Sequence, residues 1–140
     1  MMDGGLIFFF VAVLIVGVLL FAVISLTRKG PYALDVDKFR RKWLTIEQQL
    51  VRDDIGSYSL AVLNADKLLD QALREYGLKG ETMGERMKGA KDIWTNANAI
   101  WSAHKLRNQI AHETDAHVDF NDTRRALASF KQALKDIKAI

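Results

Sequence analysis

The chain has 140 residues, with 20 Lys and Arg against 17 Asp and Glu, a net charge of +3, three His and no Cys. Without cysteine there are no disulfides, zinc ribbons, thiol nucleophiles or cysteine-ligated iron–sulfur clusters, so a stable fold must come from packing alone. Once the apolar start is set aside, roughly 110 residues remain, enough for one compact domain with a single core but not for two.

The first predicted element is that apolar start. Leu6 to Leu26 carries no charged residue, and at about 1.5 Å per residue the run is roughly 31 Å long, the thickness of a hydrocarbon core. A cleaved signal peptide needs a basic start and a small-x-small cleavage site, whereas this start carries Asp3 and the run ends in Ile24-Ser25-Leu26-Thr27-Arg28. A retained anchor over 1–28 is expected. No Lys or Arg precedes the span, while Arg28, Lys29, Arg40, Arg41 and Lys42 follow it closely. By the positive-inside rule this predicts a single-pass protein of the cell (inner) membrane, with its N-terminus outside and its C-terminal domain cytoplasmic. Those basic runs are read as topogenic and headgroup-facing charge rather than as a nucleic-acid patch. Gly30-Pro31 breaks the helix, because Pro removes a backbone donor and pushes its predecessor out of the helical region. The linker over 29–34 is short enough to keep the following domain at the membrane surface.

Residues 35–140 read as helices. Asp35 can cap a first one, whose apolar Val36, Phe39, Trp43, Ile46 and Leu50 recur at spacings of three and four. Asp53 or Asp54 can start a second, carrying Ile55, Tyr58, Val62, Ala65, Leu69, Ala72 and Tyr76, with Gly77 as a left-handed C-terminal cap. Between Leu78 and Gly89, three glycines and the capping-box pattern Thr82-Met83-Gly84-Glu85 predict a mobile loop leading into a short helical turn. A third long helix is expected from near Ala90, with Ile93, Ala97 and Ile100 on one stripe and Trp94 and Trp101 beside it, running to Glu113. A last helix starts after Asp119 or Asn121 and buries Leu127, Phe130, Leu134 and Ile137. There is no period-two alternation, no glycine-rich phosphate loop and no internal repeat. The expected fold is all-α: a single transmembrane helix followed by a four- or five-helix bundle.

The third long helix breaks the core pattern. Its apolar stripe continues at the same spacing into His104 and Arg107 before returning to Ala111, and Asn108 follows seven residues after Trp101. His104, Asn108 and His112 fall four apart and so share a face. Buried polar groups of this kind are costly unless they pair or open onto a cleft or partner. The bland alternative is a helix end emerging from the core, where basic residues suit the C-terminal dipole.

The string Leu106-Arg107-Asn108-Gln109-Ile110-Ala111-His112-Glu113 resembles the Arg-Asn-x-x-x-His signature of the HEPN superfamily, small helical bundles that include toxin, antiphage and RNA-guided ribonucleases. The similarity covers about residues 54–137. It implies Arg107 and His112 as a catalytic pair, with Asn108 as the supporting residue and His104 and Glu113 beside them. His can exchange protons with the 2′-hydroxyl or the leaving oxygen of RNA, and Arg can neutralise charge developing on the phosphate. That chemistry needs neither metal nor cofactor. Residues five apart on a helix point about 140° from each other, so Arg107 and His112 meet only through the long Arg side chain, a distorted helix end or a second copy. The resemblance implies a homodimer with two motifs facing one cleft, the polar face of the third long helix forming the interface.

Three functions therefore follow: a membrane-tethered endoribonuclease acting on RNA, a non-catalytic HEPN-like module using the same polar face to bind a protein or nucleotide partner at the membrane, or a structural membrane-surface bundle that oligomerises through its amphipathic helices. The weak basicity, without an aromatic and basic tract for single strands, argues against the first, as does a structural reading of His112 paired with a carboxylate or with Asn108. A metal site among His104, His112 and His117 with Glu113, Asp115 and Asp119 is disfavoured, since His104 and His112 lie about 12 Å apart along a helix. Trp43, Trp94 and Trp101 fall at core spacing, and neither Ser102 nor Ser129 has the surroundings of a nucleophile.

Overall fold

The computed structural model describes residues 3–27 and 33–140. Arg28-Lys29 and the Gly30-Pro31 break lie outside the described residues. The chain forms two compact units, Met1–Pro31 and Tyr32–Ile140.

The first unit holds α1 (Gly4–Thr27). Its stretch Gly4–Leu26 is long and apolar enough to cross a membrane, and a continuous helical hydrogen-bond ladder is what a hydrocarbon core would demand of such a segment.

The second unit is a bundle of five helices: α2 (Val36–Gln49), α3 (Ile55–Tyr76), α4 (Met83–Gly89), α5 (Ala97–His112) and α6 (Phe120–Asp136). Among the described residues there is no strand. Helix α3 is central and packs against the other four, while α5 and α6 also pack on each other. Its start is fixed by Asp54, whose carboxylate accepts from the Gly56 N–H at 3.1 Å. Gly77 stops it at φ 98°, a left-handed conformation that glycine adopts without strain. Asp35 caps α2 in the same manner by accepting from the Lys38 N–H at 3.0 Å. Both arms of the Thr82–Glu85 capping box are made on α4.

The core follows the predicted stripes. Phe39, Trp43 and Ile46 of α2 meet Val62, Ala65, Leu69 and Ala72 of α3, with Leu127, Phe130 and Leu134 of α6 and Ile137 just beyond it closing the interior. Burying each of the Val, Leu, Ile and Phe side chains among them stabilises the fold by about 1.5–3 kcal/mol before its ordering entropy is counted. Two expectations are corrected. Ile55, on the apolar stripe of α3 and its first residue, is exposed rather than packed on the core. The third long helix begins at Ala97, not near Ala90. The Asn96 side chain caps it by accepting from the Ala99 N–H at 3.0 Å. The preceding residues are turned and anchored elsewhere: Trp94 Nε1 donates to the Met87 carbonyl at 3.0 Å, and Thr95 bonds to Asp136 through both its N–H and its hydroxyl. Ile93 and Trp94 still pack on the core, from a turn rather than a helix.

Candidate functional site

The site is built around a carboxylate. Asp66 lies one position beyond Ala65 on α3 and is buried, its side chain only 5% exposed. The helix places it four residues after Val62, three before Leu69 and seven before Leu73, all of them core residues. An ionised carboxylate there needs partners, and α5 supplies two. His104 Nδ1 lies 2.8 Å from Asp66 Oδ1, and Arg107 Nε lies 3.2 Å from Asp66 Oδ2. The Arg107 Nε–H is buried and not aligned for a hydrogen bond, so this contact is Coulombic in character.

Arg107 continues outward. One terminal nitrogen, Nη1, donates to Asn108 Oδ1 at 3.0 Å, which orients the guanidinium along the end of α5. Its side chain remains about a third exposed, against 13% for His104. A carboxylate only accepts, so His104 Nδ1 carries the hydrogen toward Asp66 and Nε2 is the nitrogen left for other partners. Trp101 stands edge-on to the His104 ring, with centroids 6.1 Å apart. Asn98, Trp101, Ser102, His104, Lys105 and Asn108 line an open groove along α5.

The structure thus unites Arg107 and Asn108 with His104 and leaves His112 apart. His112 is the last residue of α5 and is exposed. Its ring makes no hydrogen bond or ion pair among the described residues, so the structural pairing with Asn108 or a carboxylate belongs to His104 instead. Helix α5 runs unbroken from Arg107 to His112, so no distortion of the helix end brings the two together. Glu113 ends the helix with its N–H donating to the Gln109 carbonyl, and its exposed side chain does not join the cluster. His117 is exposed beyond α5.

Sequence reasoning missed Asp66. The signal was there: a carboxylate with apolar residues at −4, +3 and +7 occupies a helix stripe that otherwise faces the core. A second, partly buried pair lies one turn further along α3, where Asp70 accepts from Arg86 Nε at 2.8 Å and lies 2.7 Å from its Nη2. Arg86 also donates to the Gly80 carbonyl. These contacts fix α4 against α3 and serve the fold.

Comparison with known proteins gives no match to a protein family, a curated protein or a solved structure.

Proposed function

We propose that this chain is a membrane-tethered, HEPN-like endoribonuclease that works without metal and acts as a homodimer through the polar face of α5. The observation that carries this reading is the state of the motif at the end of α5. Arg107 and Asn108 are bound to each other, Arg107 is held from behind by Asp66, and the His112 imidazole stands unengaged in solvent. A fixed guanidinium holds a phosphodiester in place and stabilises the charge that builds on its oxygens during attack. A free imidazole takes or gives a proton near neutral pH. The reaction assembled from these groups is attack of the 2′-oxygen on the adjacent phosphorus with loss of the 5′-oxygen. In this reading the protein is a cytoplasmic-side enzyme of the inner membrane, acting on RNA that reaches the bilayer.

A second reading is favoured by Asp66 itself. Its carboxylate offsets part of the Arg107 charge, which suits a module that binds an RNA or protein partner without cleaving anything. One experiment separates the two. The full-length chain in detergent is given RNA and the matching 2′-deoxy oligonucleotide in excess EDTA, alongside His112→Ala. Cleavage of RNA alone, lost in the variant, supports the enzyme. Binding of RNA without cleavage by folded wild type leaves the module reading in its place.

A further inference from the structure

Helices α2 and α3 pack antiparallel in a register that two contacts fix. Lys38 Nζ donates to the Glu75 carboxylate at 2.7 and 2.9 Å. Four residues on along α2, Lys42 Nζ donates to Gln71 Oε1 at 3.0 Å, four residues back along α3. One more step in the same register sets Ile46 of α2 opposite Lys67 of α3, with Gln49 and Asn64 beyond them. Residues three and four apart on a helix lie side by side, so each helix turns one face to this seam, and an open groove of about 290 Å³ runs along it.

The groove is defined by what it lacks. Lys42 and Lys67 border it, and among the residues that line it there is no carboxylate. The acids one turn from Gln71 and Lys67 along α3 are already bound, Glu75 by Lys38 and Asp70 by Arg74 and Arg86. Glu47 of α2 turns to Lys131 on α6. Among the described residues, neither Lys42 nor Lys67 has an ion pair. Lys42 reaches only a neutral amide, and Lys67 stands one turn before that amide, so the two cations converge beside Gln71. Ile46 and Leu68 form the floor, each 5% exposed. The side-chain amides of Gln49 and Asn64 make no hydrogen bond among the described residues, which leaves N–H donors at the far end. Two cations and free donors over an apolar floor are complementary to a phosphate ester attached to something apolar.

We infer that this groove holds the headgroup of an anionic phospholipid, its phosphate between Lys42 and Lys67 and its glycerol portion over Ile46 and Leu68. Two observations favour lipid over free phosphate. Inorganic phosphate has no use for an apolar floor. Only eight residues separate Thr27 from Val36, a link that spans at most about 30 Å, so an anchored α1 keeps headgroups within the chain's reach of α2. The groove is at the small end for ligand clefts, which suits a headgroup whose acyl chains stay in the bilayer. A headgroup held there adds a lipid-dependent attachment to the covalent one. The inference is independent of the reaction assigned to α5 and shares with it only the reading of α1 as an anchor.

Arg40 and Arg41 supply the contrast. Both are exposed and next to Lys42 in sequence, yet neither lines the groove. Diffuse attraction to an anionic surface would draw on all these cations alike, whereas a built site depends on Lys42 and Lys67.

The test compares charge-matched variants of the full chain in dodecyl maltoside. Each is offered dioleoyl phosphatidylglycerol, dioleoyl phosphatidylcholine or inorganic phosphate, and bound lipid is counted by native mass spectrometry. Wild type should bind one phosphatidylglycerol on the order of tenfold more tightly than phosphatidylcholine. Lys42→Gln/Lys67→Gln should bring the two lipids level, whereas Arg40→Gln/Arg41→Gln, with the same change in net charge, should bind as wild type does. Lys42→Arg/Lys67→Arg should keep the preference. Should the first pair fail to fold by circular dichroism, Lys67→Gln alone, at an exposed position, is compared with Arg41→Gln in the same way. Equal losses in the Lys and Arg variants overturn the site in favour of diffuse attraction. An undiminished preference in the Lys variant overturns it outright. Inorganic phosphate that displaces the lipid at equal concentration overturns the lipid as occupant and leaves a site for free phosphate.

Discussion

Asp66 shows how much one side chain can organise. It meets His104 and Arg107 from 38 and 41 positions away, through two helices that neither residue could have aligned alone. Removing it by Asp66→Ala leaves a His104 ring nitrogen without its acceptor and the Arg107 guanidinium without its counter-charge. The expected loss is about 2 kcal/mol, between that for an orphaned neutral group and that for a fully buried ion. Urea unfolding of Tyr32–Ile140, a unit whose core is entirely its own, measures it. A loss within error of zero would mean that the carboxylate's burial cost cancels its contacts. The polar row on α5 was legible beforehand because Arg107 and His104 displaced apolar residues at a fixed period. Asp66 stood on the core side of α3 beside Val62 and Leu69, so its burial was legible, but its partners were not, because a contact 38 residues distant leaves no periodic trace. The closeness of Arg107 to His112 in sequence was likewise no guide to their distance in the fold, since an unbroken helix turns them apart.

Helices as units were more legible than their edges. Stripes such as Phe39, Trp43 and Ile46 report a face, and caps such as Asp35, Asp54 and Thr82 report a start, so the two signals agree for α2, α3 and α4. At α5 they disagreed. Ile93 and Trp94 are apolar at helical spacing, yet the Asn96 cap starts the helix later, because hydrophobic period records burial rather than backbone conformation. Between elements, α2 is fastened at its two ends by Lys38–Glu75 to α3 and by Lys131–Glu47 to α6. The Glu75 carboxyl lies below the ordinary 4.5, chiefly through the hydrogen bond from Lys38. At Glu47 burial pushes upward, but hydrogen bonds from Lys131 and Trp43 and the Lys131 charge outweigh it and hold the carboxyl low. A depressed folded-state value means that the contribution is present above about pH 4.5 and is lost as the pH falls through the lower folded value. Both pairs are more than a third exposed on the carboxylate side, so the effect is modest and weakens with salt. The stability gap between wild type and Glu75→Gln should therefore be widest at neutral pH and close below pH 4.5 in low-salt denaturation. A gap that does not change with pH would assign it to packing.

On the scale of the whole molecule, the apolar start and the five-helix unit differ in how much they specify. The N-terminal run was legible from composition, because length and absence of charge are all that spanning requires. The bundle needed its caps, stripes and polar exceptions. If α1 is an anchor, alkaline carbonate should leave the full chain in the membrane pellet and release Tyr32–Ile140 to the supernatant. Full-length protein in the supernatant would contradict the anchor. Helix α1 carries apolar side chains around its entire circumference from Leu6 to Ile24. Its hydropathy is the same at every azimuth, which is what burial in hydrocarbon asks of a helix. What sets this chain apart from any other with an apolar start is then its bundle. An unrelated apolar helix of the same length, such as a leucine-alanine repeat, should replace it with the full chain still in the membrane pellet after alkaline carbonate.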